Sequence, residues 1–195
     1  MYFIYTKIGD AASAFKIAQQ IIEYFPEDER GYIFAASYYK EQAYDYESAY
    51  RILKKGLEAA AETNQLNLSL MSTYSNMENY ESAFDLANTM FKNKKDLDNN
   101  SLSSLYKDQG YNYYVKGMYS KAVKQYQIAL TYADKKYQKR VVYFMSFWPQ
   151  IRIGEYDKAL EKLKSLDELV DGTTLLYAEA SIAYAQLFYY TGDNG

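Results

Sequence analysis

One element recurs along this chain and restricts its fold more than any other: a short turn followed five residues later by an alanine. Gly9 precedes Ala14 in GDAASA, Glu78 precedes Ala83 in ENYESA, and Gly154 precedes Ala159 in GEYDKA. Gly117 stands in the same relation to Ala122, and a further copy, YDYESA, ends at Ala49. The alanines at 14, 49, 83, 122 and 159 are 35, 34, 39 and 37 residues apart, and Gly192 begins another copy 38 residues after Gly154. A period in the thirties means that one supersecondary unit is copied and stacked. Such a unit cannot bury its apolar face alone, so its neighbours complete the core.

The unit is helical. Stretches 11–25, 46–62 and 119–136 carry apolar residues at steps of three and four, with little of the alternation a strand requires. Breakers fall between such stretches: Pro26, Gly31, Asn99 with Asn100, Gly117, Gly154 and Gly172. The expected class is all-α, with about eleven helices.

Composition removes several chemistries. The chain has no cysteine, so it forms no disulfide and no thiolate metal site. It has no histidine, the usual general base, zinc ligand and near-neutral pH switch. Lys+Arg 22 against Asp+Glu 25 leaves no basic excess for a nucleic-acid surface. The N-terminal MYFIYTKIGD lacks the basic and apolar regions of a signal peptide, and Ala180 to Tyr190 is too short an apolar run to span a bilayer. A soluble, cytoplasmic chain without membrane insertion is the expectation, with a leader or anchor on a longer parent left open. No phosphate loop, dinucleotide fingerprint, zinc motif or nucleophile elbow is present, so no enzyme activity, catalytic residue, metal or cofactor is expected.

The quoted repeats resemble the tetratricopeptide repeat family over essentially the whole chain. The fourth copy carries the pattern best, with Tyr106, Gly110, Tyr113, Gly117, Tyr119, Ala122, Tyr126 and Ala129. The first supplies Gly9, Ala14, Ala18 and the closing Pro26, and the second supplies Tyr32, Ala35, Ala36 and Tyr39. The second needs one inserted residue near Ala43 and Tyr44; the third has Asn67 at a bulky position and Glu78 at the turn glycine. In the fifth, Pro149 implies a kink or an early helix end.

The resemblance implies a right-handed superhelical solenoid of stacked antiparallel helix hairpins, in one domain over 1–195. Its repeats run approximately 1–28, 29–63, 64–102, 103–139 and 140–177, with a partial copy at 178–195. The array begins and stops mid-hairpin. Its last segment, AEASIAYAQLFYY, reads either as an apolar cap or as the sign of a longer repeat protein. Small residues such as Gly110 and Ala122 let the helices of a hairpin approach, and Tyr106, Tyr113 and Tyr126 fill the space between hairpins.

The family turns one face of each first helix toward an inner groove where partners dock. Here that face maps to Ile33, Ser37 and Lys40, then Leu68, Ser72 and Ser75, then Lys107, Tyr111 and Tyr114. The fifth copy gives Phe144, Trp148 and Ile151, and the last half-copy gives Ile182, Gln186 and Tyr189. The groove grows aromatic toward the C-terminal half. Lys107, Tyr111, Tyr114, Phe144, Trp148 and Tyr189 are the candidate partner-binding residues. The Lys/Asn/Arg clamp with which some members hold a C-terminal carboxylate is absent, since only Lys107 fits it.

The implied role is a non-catalytic scaffold for a protein or peptide partner. The alternative is a peptide-sensing domain of a larger regulator. A row of aromatics at helical spacing is more often packing than a ligand site, and that reading stands beside the groove for these rings. Two charged clusters have plain readings. Glu27, Asp28 and Glu29 suit a helix N-terminus, and Lys135, Lys136, Lys139 and Arg140 suit the end of one helix and the loop to the next rather than a phosphate or lipid site. KNKKDLDNN at 92–100 reads as a solvated loop that accounts for the 39-residue spacing.

Overall fold

In three dimensions the recurring interval from turn to alanine is a helix stop followed by a helix start. The computed structural model describes residues 10–60, 63–167 and 188–189. Between Ala11 and Asp167 the described residues form nine α-helices and no strand. The all-α expectation holds, and the further helices expected at either end lie outside the described residues.

The chain divides into two compact units at Lys94 and Lys95. The first contains α1 (Ala11–Tyr24), α2 (Glu29–Glu41), α3 (Tyr46–Ala59), α4 (Asn64–Asn76) and α5 (Tyr80–Lys92). A 3-10 turn, Lys94–Asp96, follows. The second contains α6 (Asn99–Val115), α7 (Tyr119–Tyr132), α8 (Lys136–Arg152) and α9 (Tyr156–Asp167). In each unit every helix packs on its sequence neighbour, and the first helices of successive hairpins also touch, α2 with α4 and α6 with α8. That contact pattern is a stack of antiparallel hairpins.

Among the described residues the turn between the helices of a hairpin puts one residue in the left-handed region. Gly117 and Gly154 sit at φ 73 and 76, in the left-handed region glycine enters freely. The next N–H returns to the last turn of the helix, from Met118 to the Tyr113 carbonyl and from Glu155 to that of Gln150, both 2.9 Å. This is the Schellman stop. Glu78 takes the glycine's place at φ 57, with Asn79 bonded to Tyr74 at 2.9 Å. In the second copy Tyr44 holds that place at φ 53, and the bond from Asp45 reaches Tyr39, one residue further back. The extra residue expected near Ala43 and Tyr44 is absorbed there.

In three copies the residue after the turn position caps the following helix. Asp10, Asp45 and Asn79 accept hydrogen bonds from the backbone N–H of Ser13, Ser48 and Ser82. Five residues beyond each turn the alanine is buried: Ala49, Ala83, Ala122 and Ala159 are each 0% exposed. Bulk at the helix–helix seam is traded between two positions. A Cβ on Gly110 would stand 2.8 Å from the Tyr126 ring, so the buried tyrosine on α7 requires a glycine on α6. At the corresponding places the second copy pairs Ala36 with Leu53, both in one core cluster. The fifth departs from this, with bulk at both places in Phe147 and Leu163.

Four local expectations are corrected. Gly31 breaks nothing; it is buried inside α2, where a Cβ would meet Ile21 and Ile22 at 2.9 Å. Asn99 and Asn100 open α6 rather than ending a loop, and Leu97 before them is buried. Pro149 does not end α8, which runs on to Arg152. So close to the C-terminus the proline removes one backbone donor and few turns remain to be displaced. The Lys135 cluster lies in the N-cap and first turns of α8, not at a helix C-terminus, so the dipole opposes those cations instead of favouring them. Asp28 does cap α2, accepting from the Arg30 N–H at 3.0 Å.

Candidate peptide-binding groove

Helices α6 and α8 are each 17 residues long, against 13 for α2 and α4. Both begin four residues ahead of the repeat starts read from the sequence. The residues beyond 34 in those periods therefore lengthen first helices as well as loops, and the face between α6 and α8 gains a full turn at its N-terminal end.

That face carries two cavities. One, of about 400 Å³, is lined by Tyr111 and Tyr114 of α6, Tyr126 of α7, and Phe144, Met145 and Trp148 of α8. The other, of about 270 Å³, is lined on the α6 side by Asn100, Ser103, Ser104 and Lys107. Its α8 side is Tyr137, Gln138, Val141 and Val142. Early residues of α6 share a cavity with early residues of α8, and late with late, so the two helices run parallel and the cavities follow one another along a single groove.

Local packing holds the rings in place. Tyr126 is 1% exposed and forms the floor of the aromatic cavity. Burial raises its phenol pKa far above the ordinary 10.0, with smaller contributions from Asp108, Tyr111 and Tyr114, so it stays neutral. Phe144 and Phe147 stand edge-on to Trp148 at 6.1 and 5.1 Å between centroids. Tyr114 meets Tyr119 at 5.6 Å, and Tyr106 stacks on Tyr132 at 5.7 Å. Tyr111, Tyr114, Phe144 and Trp148 remain half-buried, neither sealed in the core nor open to solvent.

The polar end is tied together across the groove. Gln138 accepts from the Lys135 N–H at 3.0 Å and donates to the Asn100 side-chain oxygen. The Lys107 ammonium lies 2.9 Å from Asp108, and both side chains are largely covered. Asp98 caps α6 through the Ser101 N–H at 2.7 Å. That bond, with a smaller pull from Lys135, holds its pKa below the ordinary 3.8.

Of the residues singled out from the sequence, Tyr111, Tyr114, Phe144 and Trp148 line one cavity and Lys107 lines the adjoining one. Tyr189 is 81% exposed and is not among the lining residues of either. Ile151 and Leu68, mapped to the same groove face, are buried at 6% and 7%, Ile151 in the core cluster around Phe147. Ile182 and Gln186 lie outside the described residues. Sequence reasoning missed Tyr126 and Met145 as cavity walls, and the polar end apart from Lys107. Ser104 stands one turn before Lys107 on the same helical stripe, so it was within reach of the periodicity. Asn100 and Tyr137 required knowing that both helices begin early. Among the described residues no cluster of potential metal ligands occurs, and no helix is long and apolar enough to cross a membrane.

Stacked two-helix hairpins with a left-handed turn residue and a small-residue seam define a class, the helical-hairpin repeats, and comparison with solved structures gives the particular fold. A thermophilic tetratricopeptide protein of Thermus thermophilus, TTC0263, superposes with a TM-score of 0.79 at 14% identity, over 94% of this chain and 95% of its own. A tetratricopeptide repeat protein from Parabacteroides merdae ATCC 43184 gives 0.75 at 15% identity, over 94% and 68%. Cut9–Hcn1, an APC/C hetero-tetramer, gives 0.74 at 14% identity over 93% of this chain. The match spans about a third of the length of that chain, 34%. No protein-family profile and no curated protein sequence matches. The chain has the tetratricopeptide-repeat fold.

Proposed function

We infer that this protein is a non-catalytic binding module whose groove between α6 and α8 holds a segment of a partner protein. One observation carries the reading: four half-buried rings, Tyr111, Tyr114, Phe144 and Trp148, converge from two parallel helices on one cavity of about 400 Å³. Tyr and Trp offer large contact area with few rotamers to freeze, the property that makes them dominate binding hot spots. The fold supports the reading by analogy, since one structure that shares it, Cut9 with Hcn1, is an assembly with a second protein.

Trp148 is the only tryptophan in the chain, so its emission reports occupancy of the cavity directly. Selection from a random displayed-peptide library against the whole chain should return peptides that shift Trp148 emission and lose affinity against Tyr114→Ala. Selected peptides that leave the emission unchanged, or bind the variant equally well, would place the binding surface elsewhere.

A further inference from the structure

We propose that the aromatic cavity is a cage for a trimethylammonium group, carried on a trimethylated lysine of the segment that the groove holds. The proposal rests on the groove-binding reading above and adds the chemistry of the ligand.

Ring faces carry negative charge density, so a cation that sheds its water among several rings is held by electrostatics as well as by contact. The lining here is five rings and the Met145 thioether, with no charged side chain among these residues. The rings come from three helices and surround the space instead of forming one wall: Tyr111 and Tyr114 on α6, Tyr126 on α7, Phe144 and Trp148 on α8. Phe144 and Trp148 meet at 88°, so the α8 side alone presents two differently oriented rings.

The surroundings suit positive charge. Tyr114 and Trp148 stand within about one turn of the ends of α6 and α8, at Val115 and Arg152. Because the helices run parallel, both C-termini place their partial negative charge at this end. The Asp108 carboxylate is close enough to act on the Tyr126 phenol. Lys107, 2.9 Å from Asp108, belongs to the adjoining cavity, and Lys116 and Arg152 are exposed and line neither.

The lining also selects among cations. An ordinary ammonium carries three N–H donors, and these walls offer it no carboxylate and no amide, so it would give up water for little. A trimethylated one has no N–H to satisfy and packs its methyl groups on ring faces. The cavity of about 400 Å³ has room for the methylene stem as well as the head. Along the groove, Asn100, Ser103, Ser104 and Gln138 then offer hydroxyls and amides to the backbone of a peptide, which a free quaternary ammonium compound would leave unused.

The test reads Trp148 emission in the whole chain. Choline is compared with its neutral isostere, in which a tert-butyl group replaces the trimethylammonium, and should bind about tenfold more tightly. Three blocked peptides, Ser-Ala-Ser-X-Ser-Ala-Ser, carry trimethyl-lysine, lysine or norleucine at X. The trimethyl-lysine peptide should bind more tightly than choline, and the other two about tenfold more weakly than it. Tyr111→Leu keeps an apolar wall but removes a ring face, so choline and its isostere should draw together; general loss of packing would weaken both alike. Equal binding of choline and the isostere, or of the lysine and trimethyl-lysine peptides, overturns the cage, while groove binding stands on any library-selected peptide that shifts Trp148. Choline binding as tightly as the trimethyl-lysine peptide overturns the peptide as the carrier. If neither that peptide nor any library-selected one perturbs Trp148, the groove-binding reading falls with the cage.

Discussion

The face between α2 and α4 in the first unit and the face between α6 and α8 in the second occupy the same repeat positions and have opposite characters. In the first unit they carry Ile33, Ser37 and Lys40 opposite Leu68, Ser72 and Ser75. Leu68 and Ser75 are buried, Ser75 donates to the Met71 carbonyl at 3.0 Å, and Lys40 reaches the Ser69 hydroxyl at 3.5 Å. In the second unit the same stripe carries Lys107, Tyr111 and Tyr114 opposite Phe144 and Trp148. Although α6 and α8 are the longer helices, they touch each other less than α2 touches α4. Small residues let first helices close on one another, whereas rings hold them apart and leave a cavity. Beyond the extra turn on α6 and α8, what differs is side-chain volume on a single stripe.

If the scaffold is common to both units, overpacking the seam should cost each the same. Ala49→Leu and Ala122→Leu place a branched side chain where exposure is 0%, and each should destabilise by about 1–3 kcal/mol. Leucine at exposed Lys124 should cost less than about 0.5 kcal/mol. Denaturant melts of the three variants read this directly, and equal midpoints for Ala122→Leu and Lys124→Leu would show that the repeat register is misassigned.

The two stripes should separate in binding. Tyr114→Ala should weaken a groove-bound peptide by about 1–2 kcal/mol, because the ring contributes contact area at the cavity mouth. Ser75→Ala, at the same place in the first unit, should leave the affinity unchanged, its hydroxyl being turned back onto its own helix. A peptide that weakens equally with both variants would mean that the cavity is not the site.

The turns offer a smaller and cleaner contrast. Glu78 and Gly117 occupy the same left-handed position, but only glycine lacks the Cβ that makes it costly. Glu78→Gly should therefore stabilise the first unit by up to about 1 kcal/mol, and Gly117→Ala should destabilise the second by about as much. A Cβ on Gly117 meets nothing within 4 Å, so that change isolates backbone conformation from packing. Opposite shifts in melting temperature are expected, and shifts of the same sign would refute the strain argument.

These comparisons also show what the sequence could and could not disclose. The period, the hairpin and the groove stripe are readable because each is a spacing, and spacing survives weak similarity. Glu78 and Tyr44 are poor residues for a left-handed turn, so residue type alone hides two of the turns while their interval to Ala83 and Ala49 gives them away. Pro149 and the Lys135 cluster mislead for the reverse reason. Local propensity points one way there, but Pro149 stands too near the end of α8 to stop it, and Lys135 begins that helix through the bonds that tie Gln138 to Lys135 and Asn100. The polar half of the groove escapes because the early start of α6 and α8 is set by Asp98 and Gln138 capping the helices, an event outside the repeat pattern.

The smallest expected effect distinguishes helix starts by pH. Asp10 and Asp45 cap α1 and α3, and the hydrogen bonds to them from Ser13 and Ser48 hold both carboxyls below their ordinary 3.8. The cap of α5 is Asn79, which makes the same bond without titrating, and α7 starts at Met118 with no side-chain bond. A carboxyl whose folded pKa is lowered binds its proton more readily in the unfolded chain. Its contribution is therefore present above about pH 4 and is lost as pH falls through the folded value. Neither aspartate is buried, so solvent screening keeps each effect modest. Replacing Asp45 with asparagine copies the Asn79 solution into α3 and should leave the melting temperature at pH 7 nearly unchanged. Between pH 4 and 2 the variant should lose less stability than the parent chain. The corresponding amide substitution at exposed Glu58, which caps nothing, serves as the control. An acid profile for Asp45→Asn identical to that of Glu58→Gln would show that the cap is energetically silent.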